Sequence, residues 1–343
     1  MKKFVATVLS VVMVLTMSMT VMAEEVTTVT FGGTYPSELT GLPISSSLSG
    51  QRPIAVMIDN ETKAYNHYGV SEADIVYEMM NSTKNGRITR LMAIYKDYNN
   101  IPQIGSIRSV RPTNCMIAPE YNAILIHDGG PFYINTYIAQ PYCDNLSGGF
   151  TRVKNGKPTE FTEYVKAGEA ASRAVKAGYS LNYNAWANNR IASHFLFNTA
   201  DTLLSTVYGA VTPATNIDLS GSFPHTKSRL VFDAGTNTYN YYAYGSKHVD
   251  AEDEQPTMFK NVILQVVPFT EYDANGYLMY NATGVGSGYY ITNGQCIPIT
   301  WAKASDNTIT KYMDAQGNEI KVNAGKTYIG LIPADTASTT LIQ

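Results

Sequence analysis

The 343-residue chain is short of charge, cysteine and tryptophan. Asp, Glu, Lys and Arg make up 15% of it, and it holds three cysteines and two tryptophans. The formal net charge is −3, and loss of Lys2 and Lys3 with the N-terminal segment discussed below makes the mature chain more acidic still. An acidic chain without a basic stripe is a poor nucleic-acid binder, and no such partner is expected. Cys115, Cys143 and Cys296 show no CxxC and no Cys/His spacing, so nothing points to zinc. In an oxidising compartment Cys115 and Cys143 are available to pair, leaving Cys296 free; three buried thiols are the other reading. Nucleophile motifs are missing as well: there is no G-x-S-x-G, no S-x-x-K and no H-E-x-x-H. No apolar run after the N-terminus reaches the roughly 20 residues that a membrane-spanning helix needs.

What is present is a sizeable core. Hydrophobic residues make up 44% of the chain, and Tyr is abundant at 25 copies. The length suggests about two domains, at roughly 100–200 residues each. Residues 1–23 have the layout of a cleavable secretory signal. Lys2 and Lys3 form the positive region, Phe4 to Met17 the apolar one, and Val21-Met22-Ala23 the small-residue end. No Cys follows the apolar region, so an anchor on an N-terminal lipidated Cys is not expected. The protein is expected to be exported to the cell envelope or beyond, with no transmembrane segment in the mature chain.

Residues 24–51, rich in Thr, Ser, Gly and Pro, read as a flexible lead. Residues 52–211 read as an α/β or α+β domain with a mixed sheet, 212–227 as a linker, and 228–335 as a smaller, mostly-β domain. Ile54 to Ile58 is apolar throughout and predicts a strand buried on both faces, ending in Asp59-Asn60. Asp74 to Met80 predicts a second strand. Ile88 to Tyr95 and Ile104 to Ile107 read as the arms of a hairpin. Helices are predicted over Pro112–Pro119, Pro131–Ala139, Phe161–Gly178 and Thr199–Tyr208, and a polar loop over Asn182–Asn189 around Trp186. His194, inside an apolar segment, reads as a core histidine. Short strands separated by Asn-Gly and Asp-x-x-Gly turns fill the C-terminal part.

Polar groups gather at the ends of these strands. Arg87 and Arg90 stand at one end of the expected hairpin, Arg108 and Arg111 at the other, and His127-Asp128-Gly129-Gly130 closes the run Ala123–Ile126. With Asp59 and Asn60, these ten residues are the candidate ligand-binding set. Guanidinium forks match phosphate and carboxylate geometry. Strand, Gly-Gly, Pro and helix together could present backbone amides to an anion. The structural alternative is an ion-pair network with Glu78, Asp74, Glu120 or Asp128 as partners. His127 and Asp128 are adjacent in a strand and point to opposite faces, so shared acid–base chemistry is not expected.

Several stretches resemble the YerB family of exported bacterial envelope proteins, often lipoproteins, whose domains carry no assigned function. They are RPIAVMIDN (Arg52–Asn60), GVSEADIVYEMM (Gly69–Met80), GRITRLMAIY (Gly86–Tyr95), IGSIRSVRP (Ile104–Pro112), EYNAILIHDGG (Glu120–Gly130) and RIASHFLF (Arg190–Phe197). FKNVILQVVP (Phe259–Pro268), ITWAKAS (Ile299–Ser305) and Tyr312–Pro333 continue the likeness into the C-terminal part. A second, local resemblance is to the LytR–CpsA–Psr phosphotransferases, which move glycopolymers from polyprenyl pyrophosphate onto peptidoglycan. It implies Asp59 as a metal-binding aspartate for Mg2+, Arg87 and Arg108 as ligand-gripping arginines, and Gly129-Gly130 as the later Gly-Gly. Thr89 and Ser109 stand where that family has aspartates, which suits gripping a phosphorylated ligand better than turning it over.

The reading that results is an exported envelope protein with a binding or accessory role at the cell wall or membrane surface. Its arginines would grip an anionic, phosphorylated ligand such as a glycan or prenyl phosphate. The alternative is a phosphotransferase acting on prenyl-linked glycan precursors with Mg2+, and a protein-interaction scaffold is third.

Overall fold

A computed structural model describes residues 33–184 and 194–343. The expected signal segment, Trp186 and Arg190 lie outside the described residues. An eleven-stranded mixed sheet organises both halves of the chain. From one edge its strands are Thr212–Pro213, Gln295–Lys303, Gly284–Thr292, Asn261–Val267, Thr327–Pro333, Ile75–Met80, Thr89–Tyr95, Ile54–Asp59, Ile124–His127 and Asn145–Ser147. Lys311–Met313 pairs alongside Gln295–Lys303. The joint is Thr327–Pro333, which runs parallel to Asn261–Val267 on one side and to Ile75–Met80 on the other. The two halves therefore share one sheet.

The central strands are apolar on both faces because both faces are covered. Successive side chains point to opposite sides of a strand. Accordingly Ile54, Val56 and Ile58 enter one hydrophobic cluster, and Ala55 and Met57 the other. Leu91 and Ala93 divide from Met92 and Ile94 in the same way. Each fully buried aliphatic side chain contributes about 1.5–3 kcal/mol. A second, six-stranded sheet built on Asn216–Asp218, Arg229–Asp233 and Thr238–Ala243 supplies Ile217, Leu230, Tyr239 and Tyr241 to the Ile54 cluster. The C-terminal part thus folds back over one face of the N-terminal strands.

Several expectations differ from the structure, the 212–227 linker among them, since Thr212–Pro213 and Asn216–Asp218 are strands of the two sheets. Thr89–Tyr95 lies between Ile75–Met80 and Ile54–Asp59, antiparallel to both, so its hairpin partner precedes it. Gln103–Gly105 leaves that sheet and pairs with Glu163–Lys166. Phe161–Gly178 is a strand and a helix, not one helix. Glu163–Tyr164-Val165 is buried in the small sheet, Gly168 has φ 72, and only Glu169–Lys176 is helical. Of Thr199–Tyr208 only Leu204–Tyr208 is helical, because the earlier polar residues are engaged elsewhere: Thr202 N donates to Asn323 Oδ1 and Asp201 pairs with Lys260. The expected flexible lead is ordered from residue 34, as a Thr34–Pro36/Pro43–Ser45 hairpin whose loop buries Leu39 in the core.

Candidate functional site

Asp59 and Arg90 end neighbouring antiparallel strands and face each other in register. Asp59 is buried, and its two carboxylate oxygens are engaged. Oδ2 lies 2.7 Å from Arg108 Nε, and Oδ1 accepts from the Glu61 amide at 2.8 Å. Arg108 is carried by a segment held against the first strand, its amide donating to the Met57 carbonyl. Its guanidinium also pairs with Glu160 at 2.6 Å and lies 5.5 Å above the Phe161 ring. Arg90 Nη1 donates to the Ser109 carbonyl (2.6 Å) and hydroxyl (3.0 Å). Arg111 precedes the Pro112–Ile117 helix, where its amide donates to Asn114 Oδ1. Its guanidinium donates to the Val110 carbonyl at 2.9 Å and stacks 3.9 Å from the Tyr277 centroid, while its Nε has no hydrogen-bond partner.

The charges do not balance. Arg90 and Arg111 are 8% and 5% exposed, yet among the described residues neither has a carboxylate oxygen within 4.0 Å. Burial, then the neighbouring Arg111, push the Arg90 guanidinium down to about 9, against the pull of Asp59. Burial pushes Arg111 down too, against Tyr277, Tyr133 and Asp273. Burial also opposes the charge on Arg108, but there Asp59 and Glu160 outweigh it and raise its pKa. A desolvated cation without a partner costs several kcal/mol.

Both halves build this place. The Phe269–Glu271/Leu278–Tyr280 hairpin reaches across to the N-terminal half. Ser82 bridges to Tyr277, Thr83 N donates to the Gly276 carbonyl at 2.9 Å, and Tyr280 N donates to Thr113 Oγ1 at 2.9 Å. Gly276 has φ 73, and a Cβ there would meet Thr83 Oγ1 at 2.4 Å, so the crossing needs glycine. This contact sets Tyr277 over Arg111. The buried Tyr133 hydroxyl, which has no hydrogen-bond partner, lies in electrostatic reach of the same guanidinium.

Of the ten candidate residues, Asp59, Arg90, Arg108 and Arg111 come together. Arg87 does not join them: it has φ 60 and makes a two-pronged pair with Asp335 at 2.8 and 2.9 Å. His127 is buried, with Nδ1 2.9 Å from the Gly129 carbonyl and Nε2 3.3 Å from Asn145 Oδ1, and burial lowers its pKa. Asp128 pairs with Arg152 at 3.4 Å. Gly129 and Gly130 precede only a 3-10 turn, Phe132–Ile134, and a four-residue helix, Asn135–Ile138, too little to gather an anion. Their service is structural. The Gly129 carbonyl accepts the Val110 amide, and a Cβ on Gly130 would press on Ile134 and Val110. The expected ion-pair partners differ as well, since the arginine pairs run to Asp59, Glu160 and Asp335.

Asn60 belongs to another arrangement that the sequence reading missed. Glu78 is fully buried and collects hydroxyls from Thr89, Ser228, Tyr241 and Tyr328 at 2.7–3.0 Å, with Asn60 Nδ2 at 3.2 Å. Burial raises its pKa and the hydroxyls oppose that rise. An ionisable residue inside the apolar run Ile75–Met80 was the visible signal. Magnesium does not fit here. Both Asp59 oxygens are taken, and Thr89, in place of a second aspartate, donates to Glu78.

The chain belongs to the family described as protein of unknown function DUF3048. The family's N-terminal domain matches residues 39–180 and its C-terminal domain residues 219–329. It is similar to a Bacillus subtilis (strain 168) protein named "Putative lipoprotein YerB", with 25% identity over 310 residues, 88% of this chain and 87% of that one. The crystal structure of YerB from Bacillus subtilis has the same fold, with a TM-score of 0.75 over 90% of this chain and 99% of that one, at 22% identity. The expected YerB resemblance and the fold class, with a large mixed sheet in a mostly-β chain, both hold. Among the described residues no helix is long and apolar enough to cross a membrane.

Proposed function

We propose that the chain is an exported accessory protein of the cell wall or membrane surface that grips an anionic, phosphorylated ligand with Arg90, Arg108 and Arg111. One observation carries this: two buried guanidinium groups, Arg90 and Arg111, have no carboxylate in ion-pair range among the described residues. Burying a cation is costly unless something pairs it, and a phosphate oxyanion supplies the missing charge with matching geometry. Asp59 holds Arg108 in place from behind. The lipoprotein name of the Bacillus relative and the secretory layout of residues 1–23 support export. Both Asp59 oxygens are engaged by Arg108 and the Glu61 amide, which supports gripping a ligand over metal-assisted turnover.

The test is thermal unfolding with inorganic pyrophosphate and with a short-chain prenyl pyrophosphate, each with and without Mg2+. At about 100 Kd a ligand adds roughly 2.7 kcal/mol, a visible rise in Tm. The expected rise occurs without Mg2+ and disappears in Arg111→Gln. A rise that requires Mg2+ would instead favour the phosphotransferase reading. No rise with any anion would overturn the proposal.

A further inference from the structure

Beside the arginines lies a shelf of aromatic rings that the anion reading does not use. Tyr133 and Tyr272 stack at 4.8 Å and 19°, and Phe132 meets Tyr133 edge-on at 5.4 Å. Tyr137 Oη lies 3.1 Å from Tyr272 Oη. Phe132 is 85% exposed and Tyr272 40%. The shelf joins the segment after Gly130 to the hairpin that carries Tyr277, so it continues from the ring under Arg111 outward to solvent.

We infer that this shelf is a sugar-ring subsite and that the ligand is a glycosyl phosphate, its phosphate on Arg90 and Arg111 and its pyranose on Phe132, Tyr133 and Tyr272. The inference rests on the anion-binding reading above. Exposed apolar surface that is contiguous, as these touching rings are, is the kind that marks ligand-binding sites. The chemistry of the shelf selects the occupant. A pyranose presents a C–H face to an aromatic ring and hydroxyls at its rim. Tyrosines meet both needs, with an apolar ring and a hydroxyl edge. Asp273, in electrostatic reach of both Tyr133 and Arg111, adds an acceptor for a sugar hydroxyl. An isoprenoid chain would call for aliphatic walls, whereas the exposed members here are Phe132 and hydroxyl-bearing Tyr272.

The experiment is calorimetric titration of the purified chain, at low ionic strength, with inorganic phosphate, glucose 1-phosphate and uridine monophosphate. Glucose 1-phosphate is expected to bind about tenfold more tightly than inorganic phosphate. Phe132→Ser and Tyr272→Ser, each checked for an unchanged Tm without ligand, are expected to erase that advantage and leave inorganic phosphate binding unchanged. Equal affinities for the sugar phosphate and inorganic phosphate, unaffected by either variant, would overturn the subsite while leaving the anion site standing. An equal gain for uridine monophosphate would overturn the sugar assignment. If none of the three binds, the subsite falls together with the anion reading.

Discussion

Asp59 and Arg90 face each other in register across two antiparallel strands, yet the carboxylate of Asp59 is paired with Arg108 and not with Arg90. Its second oxygen is held by the Glu61 amide. Arg90 is left with the carbonyl and hydroxyl of Ser109, which satisfy its hydrogens without balancing its charge. Arg111, stacked on Tyr277, is in the same position. The surplus of buried positive charge follows because both nearby carboxylates, Asp59 and Glu160, pair with Arg108.

A buried charge without a partner destabilises the chain that carries it. Replacing Arg111 by Met keeps an unbranched side chain against Tyr277 and removes the charge. Without ligand, Arg111→Met is expected to gain about 1–2 kcal/mol in urea unfolding. A loss of similar size would mean that the arginine serves the fold itself.

Asp59→Asn has the opposite sign. It removes the carboxylate that pairs with Arg108 and pulls on Arg90, and leaves Arg108 with Glu160 alone, which is half-exposed. Because Arg108 is 25% exposed, solvent screens part of the effect, and the expected loss is about 1–3 kcal/mol. Added pyrophosphate should recover part of it, read as a larger ligand-induced rise in Tm than in the unaltered chain.

Glu120 tests the joint between the halves. Its carboxylate is buried with Lys303 Nζ at 2.8 Å, His194 Nε2 at 2.8 Å and the Thr310 amide at 2.7 Å. Burial would raise its pKa, but Lys303 and His194 overcome that and hold it at about 2. A carboxylate whose folded pKa is depressed stabilises the fold above its unfolded value of 4.5, and this is lost as pH falls toward 2. Lys303→Ala strands the carboxylate and is expected to cost about 3–5 kcal/mol at pH 7. Its urea midpoint should also lose the decline between pH 4.5 and 2. An unchanged midpoint at pH 7 would contradict this.

His67 and His248 join the same halves on the other side. Their rings lie 5.0 Å apart with Nδ1 and Nε2 at 2.8 Å, while His67 Nε2 donates to the Asp59 carbonyl at 2.8 Å. Tyr65 and Tyr241 pack on this pair, and Lys157 and Asp59 supply the nearby charges. Burial first, with Lys157 adding to it, lowers His67 to about 4, and His248 is lowered as well. A histidine kept neutral stabilises the fold fully above 6.5, and that is lost as pH falls from 6.5 to about 4. At about 1.4 kcal/mol per pKa unit the loss is about 3 kcal/mol. Urea unfolding across this range should fall less steeply in His67→Gln, and an identical slope would contradict the assignment.

The strands that carry the site were legible because they are apolar on both faces. Ile54 to Ile58 reads as a buried strand ending at Asp59, and the structure has it. Arg90, Arg108 and Arg111 lie near one another because short segments carry them next to those strands. Arg87 was not, because its partner Asp335 is 248 residues away and no local pattern reveals it. The same limit hid Tyr277, which reaches Arg111 through the crossing of the Gly276 hairpin. The segment Phe161–Gly178 misled because helix-forming residues fill it, while pairing with Gln103–Gly105 and Thr151–Arg152 makes its first part a strand.

Equilibrium dialysis of the purified chain against labelled pyrophosphate, at low ionic strength and without Mg2+, tests the central claim most directly. The account predicts one saturable site per chain, weakened about a hundredfold or more when Arg90 and Arg111 are both changed to Gln, each lost charged contact being worth about 1.5–3 kcal/mol. Pyrophosphate that fails to saturate, or that binds the double variant as tightly as the unaltered chain, would contradict it.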